Sequence, residues 1–211
     1  MGTRIYARLK AMRKHHAVLW PHKKLSPKQT MALSKPQRQG TRVSNHAYQL
    51  RAYQTLRILY GYMSKKHLQA VYAKAKATQG RPGDTLIGLL ERRLEMVVYR
   101  AMFAQSLKEA RQLINHGHIT VNGTKAARAS TILQPGDVVS CTQAYASKVF
   151  ETLVRKDLMQ KAEDATAEWP QVHEHLEINY AHASCVLLYT PQCVDFPCQI
   201  HMDRVLQALD S

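Results

Sequence analysis

Side chains that could donate to phosphate recur at helical spacing in the segment Ser106–Val121, SLKEARQLINHGHITV. Lys108, Arg111 and Gln112 fall on one face of a predicted helix, because residues three or four positions apart are neighbours there. Arginine presents a planar fork of donors that binds phosphate oxygens in pairs. This face therefore suits contact with a phosphate backbone, although an ordinary solvated helix face carries the same residue types.

Start and stop signals define the helix that positions these side chains. Ser106 followed three residues later by Glu109 is a capping box, which predicts that the helix begins at Ser106. Gly117 predicts its end. A short alternating strand follows, and Asn122-Gly123 predicts a two-residue hairpin turn. The apolar stripe predicted to face the core is Leu107, Ala110, Leu113 and Ile114.

A second amphipathic pattern precedes this helix in LLERRLEMVVYRAMFA, residues 89–104. Arg93 and Arg100 are seven residues apart, as are Arg92 and Tyr99, which places all four on one side of a continuous helix. The pattern predicts a unit of helix, turn, helix and hairpin with donors on its exposed faces. The apolar arc of the first helix is Leu86, Leu90, Leu94, Val97, Val98 and Ala101.

Taken whole, LLERRLEMVVYRAMFAQSLKEARQLINHGHITVNG resembles the RNA-binding domain of the bacterial-type protein S-four (S4) of the small ribosomal subunit. The match is long and ungapped. The string QLRAYQTLRILYG (49–61) and the Pro135-Gly136-Asp137 turn are also similar to the family's. The side chains that the resemblance and the spacing assign to RNA in this region are Arg92, Arg93, Arg100, Ser106, Lys108, Arg111, Gln112, His116, His118 and Asn122.

The resemblance implies a non-enzymatic constituent of the small ribosomal subunit that binds the 5′ domain of its rRNA early in assembly. It also implies an α+β fold, in which a helical N-terminal domain precedes a small RNA-binding domain of helices packed with an antiparallel sheet. Two departures from the family stand out. Glu95-Met96 replaces the usual Asp-Asn, and no Cys precedes Cys141, so no zinc knuckle is expected near the N-terminus.

The charge distribution points to the same class of partner. The net charge is +15, and the first 83 residues contain 18 Lys and Arg but no Asp or Glu. Such a surface repels itself unless counterions or phosphates neutralise it. The charge indicates a polyanionic partner, and the resemblance implies that this partner is small-subunit rRNA, with neighbouring ribosomal proteins beside the acidic C-terminal part.

The predicted domains are a basic N-terminal arm at 1–45, a helical first domain at 46–85, an S-four-type domain at 86–145 and a C-terminal extension at 146–211. We expect the extension to pack partly on the first domain. The arm could instead be an organelle transit peptide, since it is Arg-rich and free of acids. The RNA-binding side chains predicted outside the S-four-type domain are Arg4, Arg8, Arg13, Lys14, Lys23, Lys24, Arg51, Gln54 and Arg57.

Other functions find little support in the sequence. The four Cys and eleven His lack the spacing of a metal site, so we expect no metal and no cofactor. There is no G-x-S-x-G elbow, no Gly-rich phosphate loop and no apolar run long enough for a membrane span. The alternatives are an RNA-modifying enzyme or a ribosome quality-control factor with the same RNA-binding domain, but about 70 residues after that domain are few for a catalytic domain.

The same features bear on the compartment. The missing knuckle and the atypical acidic C-terminal part favour an organelle, so we expect the ribosome of the mitochondrial matrix. A chloroplast or the bacterial cytoplasm remains the alternative. Neither a small-molecule substrate nor a membrane is expected as a partner.

Overall fold

The structure, a computed structural model, describes residues 8–15, 18–20, 25–35, 44–151 and 173–210. These residues form two compact units. The first unit comprises the chain up to Gly83 together with the stretch from Asp195 onward, and the second unit comprises Asp84–Val194. This division differs from the predicted one, because the second unit continues well beyond residue 145.

The helices are α1 (Arg8–His15), α2 (Pro27–Ser34), α3 (Asn45–Leu59), α4 (Lys65–Ala77), α5 (Pro82–Glu91), α6 (Leu94–Arg100), α7 (Leu107–Asn115) and a C-terminal helix (Met202–Asp210). Residues 143–151 are also helical. The strands are β1 (Ile119–Val121), β2 (Thr124–Lys125), β3 (Val138–Cys141), β4 (Leu176–Asn179) and β5 (Ser184–Leu187). No helix within the described ranges is both long enough and apolar enough to cross a membrane.

In the first unit, the C-terminal helix packs against α3 and α4. The serines before α3 and α4, Ser44 and Ser64, each accept a hydrogen bond from a backbone N–H in the helix's first turn, which satisfies donors that the helix leaves open. Tyr72 donates to Asp210 over 3.2 Å, and Lys76 forms an ion pair with the same carboxylate. These contacts join the end of the chain to its early helices.

The segment predicted as a basic arm contains two helices that belong to the first unit. Met12 and Leu19 are buried in a cluster with Ile58 of α3, and His15 Nδ1 lies 2.9 Å from Thr55 Oγ1. Apolar residues among the cations therefore give this segment a face that packs. The described part of the segment is therefore largely helical, and it packs against α3.

The second unit contains a five-stranded antiparallel sheet in the order β2-β1-β3-β5-β4. The hairpin of β1 and β2 turns at Asn122 and Gly123, both with positive φ, as the sequence predicts. Two strands come from the predicted extension. The apolar run Leu187-Leu188-Tyr189 of this extension predicts a short strand. The structure places β5 three residues earlier, at Ser184–Leu187, and β4 was not predicted. The α+β class is confirmed.

The core of the second unit joins the sheet to α6 and α7. The predicted apolar arc and the predicted stripe of α7 are buried throughout. Gly88 of α5 lies against residues 190–191, where an added Cβ would meet Thr190 Cγ2 at 2.7 Å and the Pro191 oxygen at 3.0 Å. A side chain at this position would therefore displace the chain that follows β5.

Candidate nucleic-acid interface

Both ends of α7 are fixed by hydrogen bonds. Ser106 Oγ accepts from the Glu109 backbone N–H over 3.3 Å, and the Glu109 carboxylate accepts from the Gln105 N–H over 2.8 Å. At the other end, Gly117 has φ +74°. The N–H groups of Gly117 and His118 donate to the carbonyls of Ile114 and Leu113, each over 3.0 Å. This is a Schellman motif, which requires a residue in the left-handed backbone conformation, and glycine adopts that conformation without strain.

The outer face of α7 is open to solvent, as the spacing predicted. Lys108, Gln112 and His116 follow one another at intervals of four residues, and all three are exposed. Arg111 is one-third exposed. These donors stand on a short helix whose opposite face is buried in the core, so their backbone positions are rigid.

Glu95 lies beneath this face and holds two arginines. Its carboxylate is 2% exposed, pairs with Arg93 at 3.0 Å and accepts hydrogen bonds from the Arg111 guanidinium. Arg93 is itself buried, so the prediction that it lies on the exposed face is wrong. A buried guanidinium requires a charged partner, and Glu95 supplies it.

A second buried carboxylate, Glu91, holds Arg100. Arg100 Nη2 lies 2.8 Å from Glu91 Oε1, and Nε donates to Oε2 over 3.1 Å, so the pair is bidentate. The Arg100 side chain is 15% exposed. Arg100 therefore presents a guanidinium edge at most.

The helix predicted across residues 89–104 is interrupted, which explains where Arg92 and Arg93 point. The N–H groups of Leu94 and Glu95 donate to the carbonyls of Thr131 and Ala129 over 2.8 and 3.1 Å, so the chain at 129–131 satisfies the start of α6. Arg92 Nε donates to the Leu133 carbonyl over 2.7 Å. The prediction of one continuous helix with four side chains on one side is wrong.

Asn122 is predicted to contact RNA, but its amide is used inside the hairpin. Its Nδ2 donates to Asp137 over 2.9 Å, and its Oδ1 accepts from the Val138 N–H over 2.9 Å. The side chain thus joins the β1–β2 turn to the beginning of β3. This is a structural role that accounts for the residue without RNA.

His116 and His118 form a column of rings with Tyr145. The two imidazole centroids are 6.2 Å apart, the His118 and Tyr145 centroids are 5.5 Å apart, and each pair is inclined by 26°. Lys148 Nζ lies 5.7 Å from the Tyr145 centroid. The positive φ of Gly117 brings the two imidazoles to the same side of the turn.

The predicted residues of the first unit are spread over several helices. Arg13, Lys14 and Arg51 are exposed, and Gln54 is half-buried. Arg57 Nε donates to the Met63 carbonyl and so braces the turn after α3. The predicted residues Arg4, Lys23 and Lys24 lie outside the described residues, as does the side chain of Arg8.

Sequence reasoning missed Glu91, Glu95 and Tyr145. The two carboxylates flank a pair of arginines in ERRLE, residues 91–95. The available signal was this placement of acidic residues beside arginines within an apolar arc. Tyr145 has no such signal, because a tertiary contact places it. Met96, where the family usually has Asn, is buried in the core.

The described residues include no group of three or more His, Cys, Asp or Glu side chains arranged to hold a metal. Cys141 and Cys185 are buried free thiols, and burial raises the pKa of each to about 12. Thiols held in the neutral form are poor ligands and poor nucleophiles. They therefore act as small apolar side chains of the core.

Two family models match adjacent parts of the chain. The "Ribosomal protein S4/S9 N-terminal domain" matches residues 3–91, and the "S4 domain" matches residues 92–139, which include α6, α7 and the hairpin. The helix pair and hairpin described above are thus the core of an RNA-binding domain of the S4 class.

Similar proteins extend this class to one family. The chain is 35% identical over 167 residues to the small ribosomal subunit protein uS4 of Paracoccus denitrificans, covering 79% of this chain and 76% of that protein. It is 35% identical over 164 residues to uS4m of Reclinomonas americana, covering 77% and 64%. It is 50% identical over 104 residues to uS4 of Novosphingobium aromaticivorans, covering 49% and 51%. The chain belongs to the ribosomal protein S4 family.

Proposed function

We propose that this chain is a structural constituent of the small ribosomal subunit that binds rRNA through α7, the 116–118 turn and the cations of its first unit. The exposed row of Lys108, Gln112 and His116 on a capped and buried helix carries the proposal, because folded RNA is recognised by donors held on rigid elements. The names of the relatives support the ribosomal role.

At the level of the rRNA, the proposed target is the 5′ domain of the small-subunit rRNA, bound early in assembly. Neighbouring small-subunit proteins are the proposed partners of the C-terminal part. The proposed compartment is the mitochondrial matrix. The uS4m relative supports an organelle, and the bacterial relatives keep the bacterial cytoplasm as the alternative.

A sedimentation experiment tests this proposal. Tagged full-length protein should travel with the small subunit, and hydroxyl-radical footprinting should show protection at an rRNA junction near the 5′ end. Recovery with the large subunit, or with free RNA at every stage of assembly, would contradict it. Sequencing the co-sedimenting rRNA identifies the compartment.

Salt dependence tests the electrostatic part of the proposal. Lys and Arg that neutralise phosphates release counterions, so the observed binding constant should fall with salt at a log–log slope of roughly −0.7 to −0.9 per phosphate contacted. A filter-binding series on the 5′-domain transcript measures the slope. A slope near zero would show that the acid-free first 83 residues do not contact the backbone.

The rival is an enzyme that modifies the bound RNA. We propose that the purified protein leaves the 5′-domain transcript chemically unchanged. Mass spectrometry of the transcript before and after incubation checks this, with S-adenosylmethionine present in one arm. A new methyl group or a pseudouridine would favour the modification enzyme.

A further inference from the structure

The ring column of His116, His118 and Tyr145 has one free end. His116 is exposed, whereas His118 and Tyr145 are half-buried, and Tyr145 packs against the core of the second unit. The centroid spacings of 6.2 and 5.5 Å lie within the range of interacting ring pairs. The outermost ring therefore continues an ordered stack out to solvent.

The backbone holds this column on three supports. Gly117 fixes the two histidines by the Schellman hydrogen bonds described above. The Thr142 N–H donates to the His118 carbonyl over 2.9 Å, and the Tyr145 N–H donates to the Thr142 carbonyl over 2.8 Å. The helical turn that carries Tyr145 is thus tied to the residue just before β1, so the rings are aligned before any ligand arrives.

We propose that this column is a stacking site for one unpaired RNA base, which lies against the exposed imidazole of His116. The inference rests on the proposed function and names a contact within it. Every base presents a flat π-face, so any of the four RNA bases can stack on an aromatic side chain. Gln112 lies one helical turn before His116 and offers an amide on the same side, and Lys108 continues the row.

The charges around the column agree with a nucleotide. Lys148 stands over the Tyr145 ring, and Lys108 is exposed on the row that leads to His116. The base itself is neutral, while its flanking phosphates require cations. Tyr145 and Lys148 lie beyond residues 92–139, the segment that matches the S4 domain. The stack therefore combines a turn of that domain with residues that follow it in the chain.

Three variants at one position separate stacking from charge. His116→Ala removes the ring, His116→Trp keeps a flat ring without a charge, and His116→Lys keeps a charge without a ring. We expect His116→Ala and His116→Lys to weaken binding of the full chain to the 5′-domain transcript by about 5- to 150-fold. His116→Trp should bind about as well as the parent or better.

His182→Ala is the matched control, because His182 is an exposed histidine in the β4–β5 turn of the same unit. It should leave affinity unchanged. Circular dichroism of each variant excludes a folding defect. Full affinity in His116→Lys together with loss in His116→Trp would overturn the inference in favour of a phosphate contact, and parental affinity in all three variants would overturn it as well.

A second experiment is independent of the rRNA target. Hexaadenylate and a ribose-phosphate hexamer without bases are titrated against the full chain while the His116 and Tyr145 ring protons are followed by NMR. A stacked base should shift the His116 protons upfield with hexaadenylate and not with the abasic hexamer. Equal shifts with both, or none with either, would overturn the stacking site. Failure of the parent protein to bind the transcript would instead overturn the proposed function.

Discussion

The two units hold their cations in opposite ways. In the second unit, Glu91 and Glu95 are almost fully buried and hold Arg100, Arg93 and Arg111 through short ion pairs. In the first unit, Lys76 forms an ion pair with Asp210, and both side chains are about half exposed. The carboxylate there comes from the last helix, because no acid occurs in the first 83 residues.

The difference shows two ways to build a surface for a polyanion. Buried carboxylates orient guanidiniums before binding, which reduces the ordering cost on association but also cancels charge. Exposed lysines and arginines without carboxylates keep their full charge and rely on the partner to neutralise it. The second unit is therefore suited to contacts that depend on the orientation of its guanidiniums, and the first unit to electrostatic attraction of a polyanion.

Removing a buried carboxylate should produce the largest effect. Glu95→Gln leaves the Arg93 guanidinium buried without its counter-charge, so we expect the free energy of unfolding to fall by about 3–5 kcal/mol. Urea denaturation followed by circular dichroism measures it. Asp210→Asn is the matched change in the first unit and should barely move the transition, since exposed pairs contribute little. Equal effects of the two variants would remove the contrast between the units.

Substitution of Arg111 should change the free energy of unfolding less than Glu95→Gln does, and it should also weaken rRNA binding. Arg111→Ala leaves Glu95 paired with Arg93, so stability should change by about 0–1 kcal/mol. If its guanidinium also contacts phosphate, rRNA binding should weaken by about 1–3 kcal/mol. Filter binding against the 5′-domain transcript and urea denaturation measure the two quantities.

Arg111→Lys is the control for the shape of the group, because lysine keeps the charge and loses the planar fork. We expect it to recover only part of the binding lost in Arg111→Ala. If Arg111→Ala unfolds the protein and leaves the affinity of the folded fraction unchanged, this side chain is purely structural.

Local signals in the sequence were sufficient for α7 and the hairpin. The capping box at Ser106, the stripe of Leu113 and Ile114, and the turn at Asn122 each depend on neighbours within a few residues. Such patterns specify an element without knowledge of the rest of the fold. The outer face of α7 could be predicted for the same reason.

The parts that sequence reasoning missed depend on distant residues. The break between α5 and α6 occurs where the chain at 129–131 supplies acceptors to Leu94 and Glu95. Periodicity alone gives a continuous helix across that point, and it placed Arg93 in solvent. β4 was missed and β5 was placed three residues late, because short strands are recognised by their pairing, here Val139 opposite Cys185, more than by composition.

The smallest expected effect is a pH dependence of stability that arises from one histidine of the second unit. His175 is buried, and its Nε2 has no hydrogen-bond partner among the described groups. Burial lowers the pKa of His175 below its ordinary value of 6.5, and Arg100 lowers it further while Glu91 opposes both. The charged imidazole is therefore disfavoured in the folded state.

The sign of the effect follows from proton binding. Below about pH 6.5 the unfolded chain binds a proton at this histidine that the folded chain does not bind, so stability falls as the pH falls. Above neutral pH both states are unprotonated and the contribution vanishes. Urea midpoints at pH 7.5 and 5.5 should differ more in the parent than in His175→Leu. If the variant keeps the full pH dependence, other histidines are responsible.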